Sequence, residues 1–221
     1  MRKLITTAAA LACLAAVSAA QAGDAIRYQI TFDAKWTAAT HPLDYPGNAH
    51  FSGIIGATHN DSYSVFSDGG NATAGLEALS ERGAHSPLDS EIKAAVAKGD
   101  AGALFESEAL FNLPGSIKAE FNADERYPYV SAVAMVAPSP DWFTGVSTVP
   151  LMQDGKWIDQ VTLTLWTWDA GTDHGTTYKA ADADAHPRQS VRLNAAPQFR
   201  MTDQVKPVGT VTIRRIDIEV N

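Results

Sequence analysis

Polar and apolar residues alternate along much of this chain with the two-residue period of a half-buried β-strand. Ile26, Tyr28, Ile30 and Phe32 fall on one face, and Arg27, Gln29, Thr31 and Asp33 on the other. Val161, Leu163 and Leu165 alternate in the same way with Thr162, Thr164 and Trp166. Phe51–Thr58 and Tyr63–Phe66 predict further strands. Tyr129–Ala137 is apolar at almost every position, which predicts a central strand buried on both faces. Towards the C-terminus Val211 and Ile213 set one parity, and Ile216, Ile218 and Val220 the other. A bulge or the strand's end is therefore expected at Arg214-Arg215.

The middle of the chain follows a different period. Thr73–Arg82 carries Leu76, Leu79 and small residues at helical spacing, with Gly83 placed to cap the C-terminus. A second helical run opens at Ser86-Pro87-Leu88-Asp89. It carries Ile92, Ala95 and Val96 as its apolar stripe and ends near Gly99. Neither run is long enough to hold a core alone, so both are expected as insertions between strands. Asp169–Pro207 is polar and loop-like, and a connection of that length is usually functional or mobile. No internal repeat, low-complexity tract or nucleotide-binding glycine motif is present.

Residues 1–22 have the form of a secretory leader. Arg2 and Lys3 precede an uncharged run from Leu4 to Ala19, and Ala20-Gln21-Ala22 fits a small-x-small cleavage site. The run is shorter than a membrane anchor requires, and no second one follows. A lipoprotein reading through Cys13 lacks the leucine that normally stands three residues earlier. Cleavage leaves one expected domain, residues 23–221, and removes Cys13, the only cysteine. A disulfide-free chain in an oxidising compartment depends on its core, with or without a metal. The formal net charge is −8, and losing Arg2 and Lys3 takes it to −10. That balance argues against nucleic acid and anionic membranes as partners, and no membrane insertion is expected after cleavage. It fits a secreted protein, periplasmic or extracellular.

The candidate chemistry is acidic. Asp141 follows Pro138-Ser139-Pro140, which breaks the strand before it, and Asp169 and Asp173 share one turn around Gly171. Carboxylates converging from strand-end loops suit a hard cation such as Ca2+, which takes six to eight oxygens. Unoccupied, two such charges about 4 Å apart repel by roughly 4 kcal/mol at an effective dielectric of about 20. The run from Asp169 is not an EF-hand, because its sixth and twelfth positions are His174 and Ala180. The same aspartates could equally serve as Asx-turn formers. His41, His50 and His59 recur at intervals of nine with Asp44, Asp61 and Asp68 nearby. That is not a standard zinc or copper spacing, and structural histidines are the simpler expectation. Glu77, Glu81, Glu106 and Glu108 could pair as glycosidase carboxylates, though such residues more often form a solvated face. Asp182, Asp184 and His186 alternate on a polar stretch. Ser52-Gly53 lacks a nucleophile elbow. Trp36, Trp142, Trp157, Trp166 and Trp168 could offer a sugar platform or fill a core.

These motifs together resemble the spondin N-terminal domain family, the domain of F-spondin and mindin that also occurs in bacterial secreted proteins. The resemblance runs from about Tyr28 to Ile216. It rests on Trp36 with His41-Pro42 and Tyr45-Pro46, on His50-Phe51-Ser52, and on Gly56-Ala57-Thr58-His59-Asn60. Ala74-Gly75-Leu76 with Gly83 adds to it. Its most specific segments are Pro138-Ser139-Pro140-Asp141-Trp142-Phe143-x-Gly145-Val146 and Trp168-Asp169-Ala170-Gly171-Thr172-Asp173-x-Gly175. The resemblance implies an all-β fold, an antiparallel C2-like β-sandwich with short helical insertions, and one Ca2+ bound at one loop end by Asp141, Asp169 and Asp173. It implies a non-enzymatic binding or cell-adhesion module whose partner is a protein or glycan outside the cytoplasm. Trp142, Phe143 and His174 are expected on the recognition rim. The absence of mature cysteines departs from the animal members. The competing expectation is a secreted metal-dependent hydrolase or sugar-active enzyme with His174 or Glu108 as base.

Overall fold

The computed structural model describes residues 26–216. The expected leader at 1–22, and the Ile218 and Val220 end of the last apolar run, lie outside those residues. In chain order the strands begin with β1 (Ile26–Ala34), β2 (His50–Phe51) and β3 (Ile55–His59). Helices α1 (Ala74–Arg82) and α2 (Leu88–Lys98) come next. They are followed by β4 (Ala101–Glu106), β5 (Gly115–Ala123), β6 (Tyr129–Ala137) and β7 (Trp142–Pro150). A small hairpin, β8 (Met152–Gln153) and β9 (Lys156–Trp157), leads to β10 (Gln160–Leu165) and β11 (Thr167–Asp169). The chain ends with β12 (Arg192–Leu193), the β13 (Arg200–Met201)–β14 (Gln204–Val205) hairpin, and β15 (Gly209–Arg215). The fold is all-β.

Two antiparallel sheets face each other. The smaller runs β10-β15-β1-β5 and the larger β12-β11-β7-β6-β3-β4, with β2 added beside β6. The alternation of β1 does what its sequence requires. Tyr28, Ile30, Phe32 and Ala34 are buried, while Arg27 meets Glu120 across the outer face at 2.7 Å. The larger sheet has no polar face to spare, because every residue of β6 from Val130 to Ala137 is buried. Val130, Ala132, Ala134 and Val136 join the core between the sheets, with Trp36, Trp142 and Ile213. Val133 joins Ile55 and Phe143 in a second core, roofed by Leu76 and Leu79 of α1 and Leu88 and Ile92 of α2. The helical insertions thus form a third layer. Their caps match the sequence: the Thr73 hydroxyl accepts from Leu76 N–H at 3.1 Å, and Gly83 and Gly99 end the helices at φ 65° and 81°.

Three expectations need correction. Phe51–Thr58 is not one strand. β2 and β3 both pair with β6, but the register slips by one residue across Ser52–Ile54, where Ser52 still bonds Met135 while Ile54 bonds the Ser107 side chain and backbone. Tyr63–Phe66 is irregular, following a turn at Asp61-Ser62, although Val65 and Phe66 are buried in the second core. Asp169–Pro207 is not a free loop. It contains β12 and the β13–β14 hairpin, and it buries Tyr178, Val191 and Phe199.

Strand register fixes two poles. Ala34 lies beside Gly209 and Gly115, and Leu165 beside Gly209, so the connections 35–49, 107–114, 138–141 and 170–208 gather at one pole. The described chain enters and leaves at the other, where Ile216 N–H bonds Arg27 C=O at 2.9 Å. Leu79→Ala, by emptying the roof of the second core, should cost about 2–5 kcal/mol in urea unfolding. The solvent-facing Lys93→Ala should cost far less. Equal costs would mean that the helical layer does not belong to the cooperative core.

Candidate functional site

Asp141 stands at the start of β7, at the loop pole, and is fully buried. Its Oδ2 accepts Thr172 N–H at 2.8 Å and Asp173 N–H at 3.2 Å, with the Thr172 hydroxyl at 3.5 Å. Its backbone C=O accepts Ala170 N–H at 3.1 Å. One carboxylate therefore ties the 170–173 turn to the β6–β7 connection. Its Oδ1 is buried with no hydrogen-bond partner. Burial pushes the Asp141 carboxyl up to about 6, with a further contribution from Asp169 and a smaller one from Asp173. A buried oxygen lacking a donor is uncommon and calls for an explanation, such as a bound ion or water.

Asp169 and Asp173 flank it, each closing an Asx turn. Asp169 Oδ1 accepts Gly171 N–H at 2.9 Å and Asp173 Oδ1 accepts Gly175 N–H at 2.5 Å. Their second oxygens are also engaged. Arg192 holds Asp169 Oδ2 at 2.8 Å, and Ala183 N–H holds Asp173 Oδ2 at 2.7 Å. Gly171 has φ 74°, and a Cβ there would lie 2.3 Å from Gln189 C=O, so only glycine allows this close passage. Beside the three carboxylates opens a cleft of about 440 Å³, walled by Asp169, Asp173, His174, Arg192, Asn194 and Pro197. Among the described residues no three His, Cys, Asp or Glu side chains converge closely enough to share an ion. The structure brings the three predicted aspartates to one pole with two of them committed to amides and Arg192.

The predicted rim is partly wrong. Trp142 and Phe143 are only 2% and 0% exposed, because the larger sheet is covered on both faces. Trp142 packs into the core between the sheets, 5.4 Å from the Tyr178 ring, and Phe143 against Phe66 at 5.0 Å. His174 alone of the three is exposed. The tryptophans mainly fill cores, Trp36 and Trp142 completely and Trp157 and Trp168 in part.

The histidines do not form a metal trio. His41 is buried against Phe199, and His50 stacks on the exposed Phe111 at 5.0 Å. His59 is fully buried, with Nδ1 2.7 Å from Asn60 C=O and Nε2 2.8 Å from Ser131 Oγ. With Nδ1–H donating to that carbonyl, Nε2 accepts the Ser131 hydroxyl. This is the bonding pattern of a Ser–His dyad, but Ser131 is also 0% exposed, so no substrate reaches it. Ser131 Oγ instead accepts Thr148 N–H at 2.9 Å, holding the register shift between β6 and β7. Sequence reading missed this pair, since nothing local links positions 59 and 131. Glu106 pairs with His85 at 2.8 Å and Glu77 with Arg188 at 2.6 Å, rather than with each other. Asp184 and His186 are exposed and 3.8 Å apart. No helix among the described residues is long and apolar enough to cross a membrane.

An antiparallel sandwich that carries Asp141, Asp169 and Asp173 at one loop pole defines the class, a loop-presenting β-sandwich domain. The chain belongs to the spondin N-terminal domain family, whose Spondin_N profile matches residues 26–202. It is similar to Spondin-2 of Rattus norvegicus, 36% identical over 169 residues, covering 75% of this chain and 51% of that protein. Spondin-2 of Homo sapiens is 34% identical over 203 residues, covering 86% of this chain and 61% of that protein. Spondin-1 of Homo sapiens is 32% identical over 203 residues, covering 86% and 25%. The chain thus spans about half of rat Spondin-2 and a quarter of Spondin-1.

The buried Asp141 has a pH signature. Its folded pKa lies above the ordinary 3.8, so the folded protein takes up this proton first as pH falls. Ionised Asp141 opposes folding above about pH 6, and the opposition is relieved between about 6 and 4. His41 and His59, held low by burial, act oppositely, and stability from them falls as pH drops through 6.5. They are shared by wild type and Asp141→Asn, and cancel in the difference. In EGTA, wild type should therefore gain roughly 2 kcal/mol on Asp141→Asn between pH 7.5 and 4.5 in urea unfolding. Parallel profiles would contradict a raised Asp141 pKa.

Proposed function

We propose that this chain is a secreted, non-enzymatic binding or adhesion module, working in the periplasm or outside the cell, whose loop pole is ordered by one Ca2+. The observation that carries the cation reading is the unpartnered Asp141 oxygen, buried beside Asp169 and Asp173. A divalent cation supplies the positive charge that this oxygen lacks and cancels repulsion among the three carboxylates. Asp141 Oδ1 would be its first ligand, and Asp169 and Asp173 would join it by giving up bonds they now make to amides and Arg192, with backbone carbonyls and water completing an all-oxygen shell. Arg192 already acts as a single positive charge on Asp169, and a cation there takes over that part.

Membership of the spondin family supports a binding rather than a catalytic role. So does the sealing of the Ser131–His59 pair, which leaves that nucleophile out of reach. The leader-like residues 1–22 support export. The loop pole, with exposed His174 and the adjoining cleft, is the surface that meets a protein or glycan partner.

A thermal melt of the protein in EGTA and in millimolar CaCl2 tests the cation. A ligand at about 100 times its Kd adds roughly 2.7 kcal/mol, or about 5–10 °C in Tm for a domain of this size. Asp169→Asn and Asp173→Asn should each shrink that rise. An identical Tm in EGTA and in saturating calcium would leave these aspartates as turn formers only.

A further inference from the structure

Helix α1 brings a fourth carboxylate to the acidic pole, at a place where three effects oppose it. Glu81 is in the last turn of α1, where the helix dipole disfavours negative charge. Its side chain is only 12% exposed. Glu77 and Asp182 add like charge nearby. Burial is the largest influence on its carboxyl and raises its pKa, with the Thr172 hydroxyl acting the other way. Oε2 meets Arg82 at 3.0 Å, while Oε1 is buried with no partner closing on it. A residue so placed weakens the helix unless something else uses it.

The Thr172 hydroxyl explains the placement. It donates weakly to Asp141 Oδ2, a long 3.5 Å away, and is near enough to the Glu81 carboxyl to hold its pKa down, though no closed hydrogen bond joins the two. A hydroxyl has one proton, so it can satisfy only one of them at a time. Thr172 N–H meanwhile stays on Asp141 at 2.8 Å. One turn earlier on the helix, Glu77 holds Arg188 of the same loop at 2.6 Å. Helix and loop are therefore joined by the Glu77–Arg188 ion pair, and Glu81 with its unpartnered oxygen stands near the same loop.

We propose that Glu81 is a positioning residue of the cation site, accepting a hydrogen bond from the Thr172 hydroxyl when a cation draws on Asp141 and so fastening the 170–173 turn to helix α1. The inference rests on the cation reading above. It makes the helical layer part of the site, and links cation occupancy to how firmly the loop sits on α1. Partners that orient metal ligands commonly change affinity 10–100-fold when removed.

The test is a double-mutant cycle in calcium affinity, measured by titration calorimetry, with melts in EGTA to confirm folding. Glu81→Ala and Thr172→Val should each weaken calcium binding about tenfold or more. The double variant should lose no more than about twofold beyond the weaker-binding single, because both remove one interaction. Thr172→Ser, which keeps the hydroxyl, should stay within about threefold of wild type. Wild-type affinity in Glu81→Ala, or losses that multiply in the double variant, would overturn the inference while leaving the cation site standing. A wild-type protein that binds no calcium would overturn both.

Discussion

The larger sheet is apolar on both faces, and the rest of the molecule is arranged to answer that constraint. β6 buries every side chain from Val130 onward, so one covering layer is not enough. The smaller sheet covers one face and the two helices the other. At roughly 25 cal/mol per Å² of apolar surface, each layer contributes through the area it keeps dry, and neither β6 nor β7 tolerates the loss of either. The described residues contain no cysteine, since the only one in the sequence is Cys13. Two cores sharing one sheet do the holding that disulfides do in smaller secreted domains.

The same constraint delivers the acidic residues to one place. Because β6 and β7 are joined by the short Pro138–Pro140 connection, Asp141 enters the structure already buried. The β10–β11 run changes from the smaller sheet to the larger at Trp166, pairing Asp169 with Trp142. The turn that follows must pass close over Gln189, which Gly171 permits. Hence register brings the three aspartates to one pole, and burial there raises the pKa of Asp141.

Much of this was legible in the sequence, and the gaps have physical causes. β1, β6 and both helices announced themselves because their periods are regular and their caps are of the preferred types, Thr73, Gly83 and Gly99. The three aspartates stood out through their turns. β5 escaped notice because Ala119 and Ala123 are small and blunt its alternation, and β4 and β7 because both their faces are partly buried. Trp142 and Phe143 looked like a rim because they follow a loop motif. Covering of the sheet from both sides is a tertiary fact that no local pattern carries. Glu81 stood out only as a possible glycosidase carboxylate or a solvated acid, since its nearness to Thr172 spans 91 positions of chain.

The position of the described chain ends has a mechanical meaning. Residues 26 and 216 emerge side by side at the pole opposite the aspartates, where β1 and β15 begin and finish their ladder. Antiparallel hydrogen bonds lie across the strands. Tension applied between the two ends would open that ladder one rung at a time, like a zipper, and meet little resistance. Tension between the loop pole and either end runs along the strands instead, loading many rungs at once in shear. A molecule anchored by its ends and gripping with its loops is pulled in its strong direction.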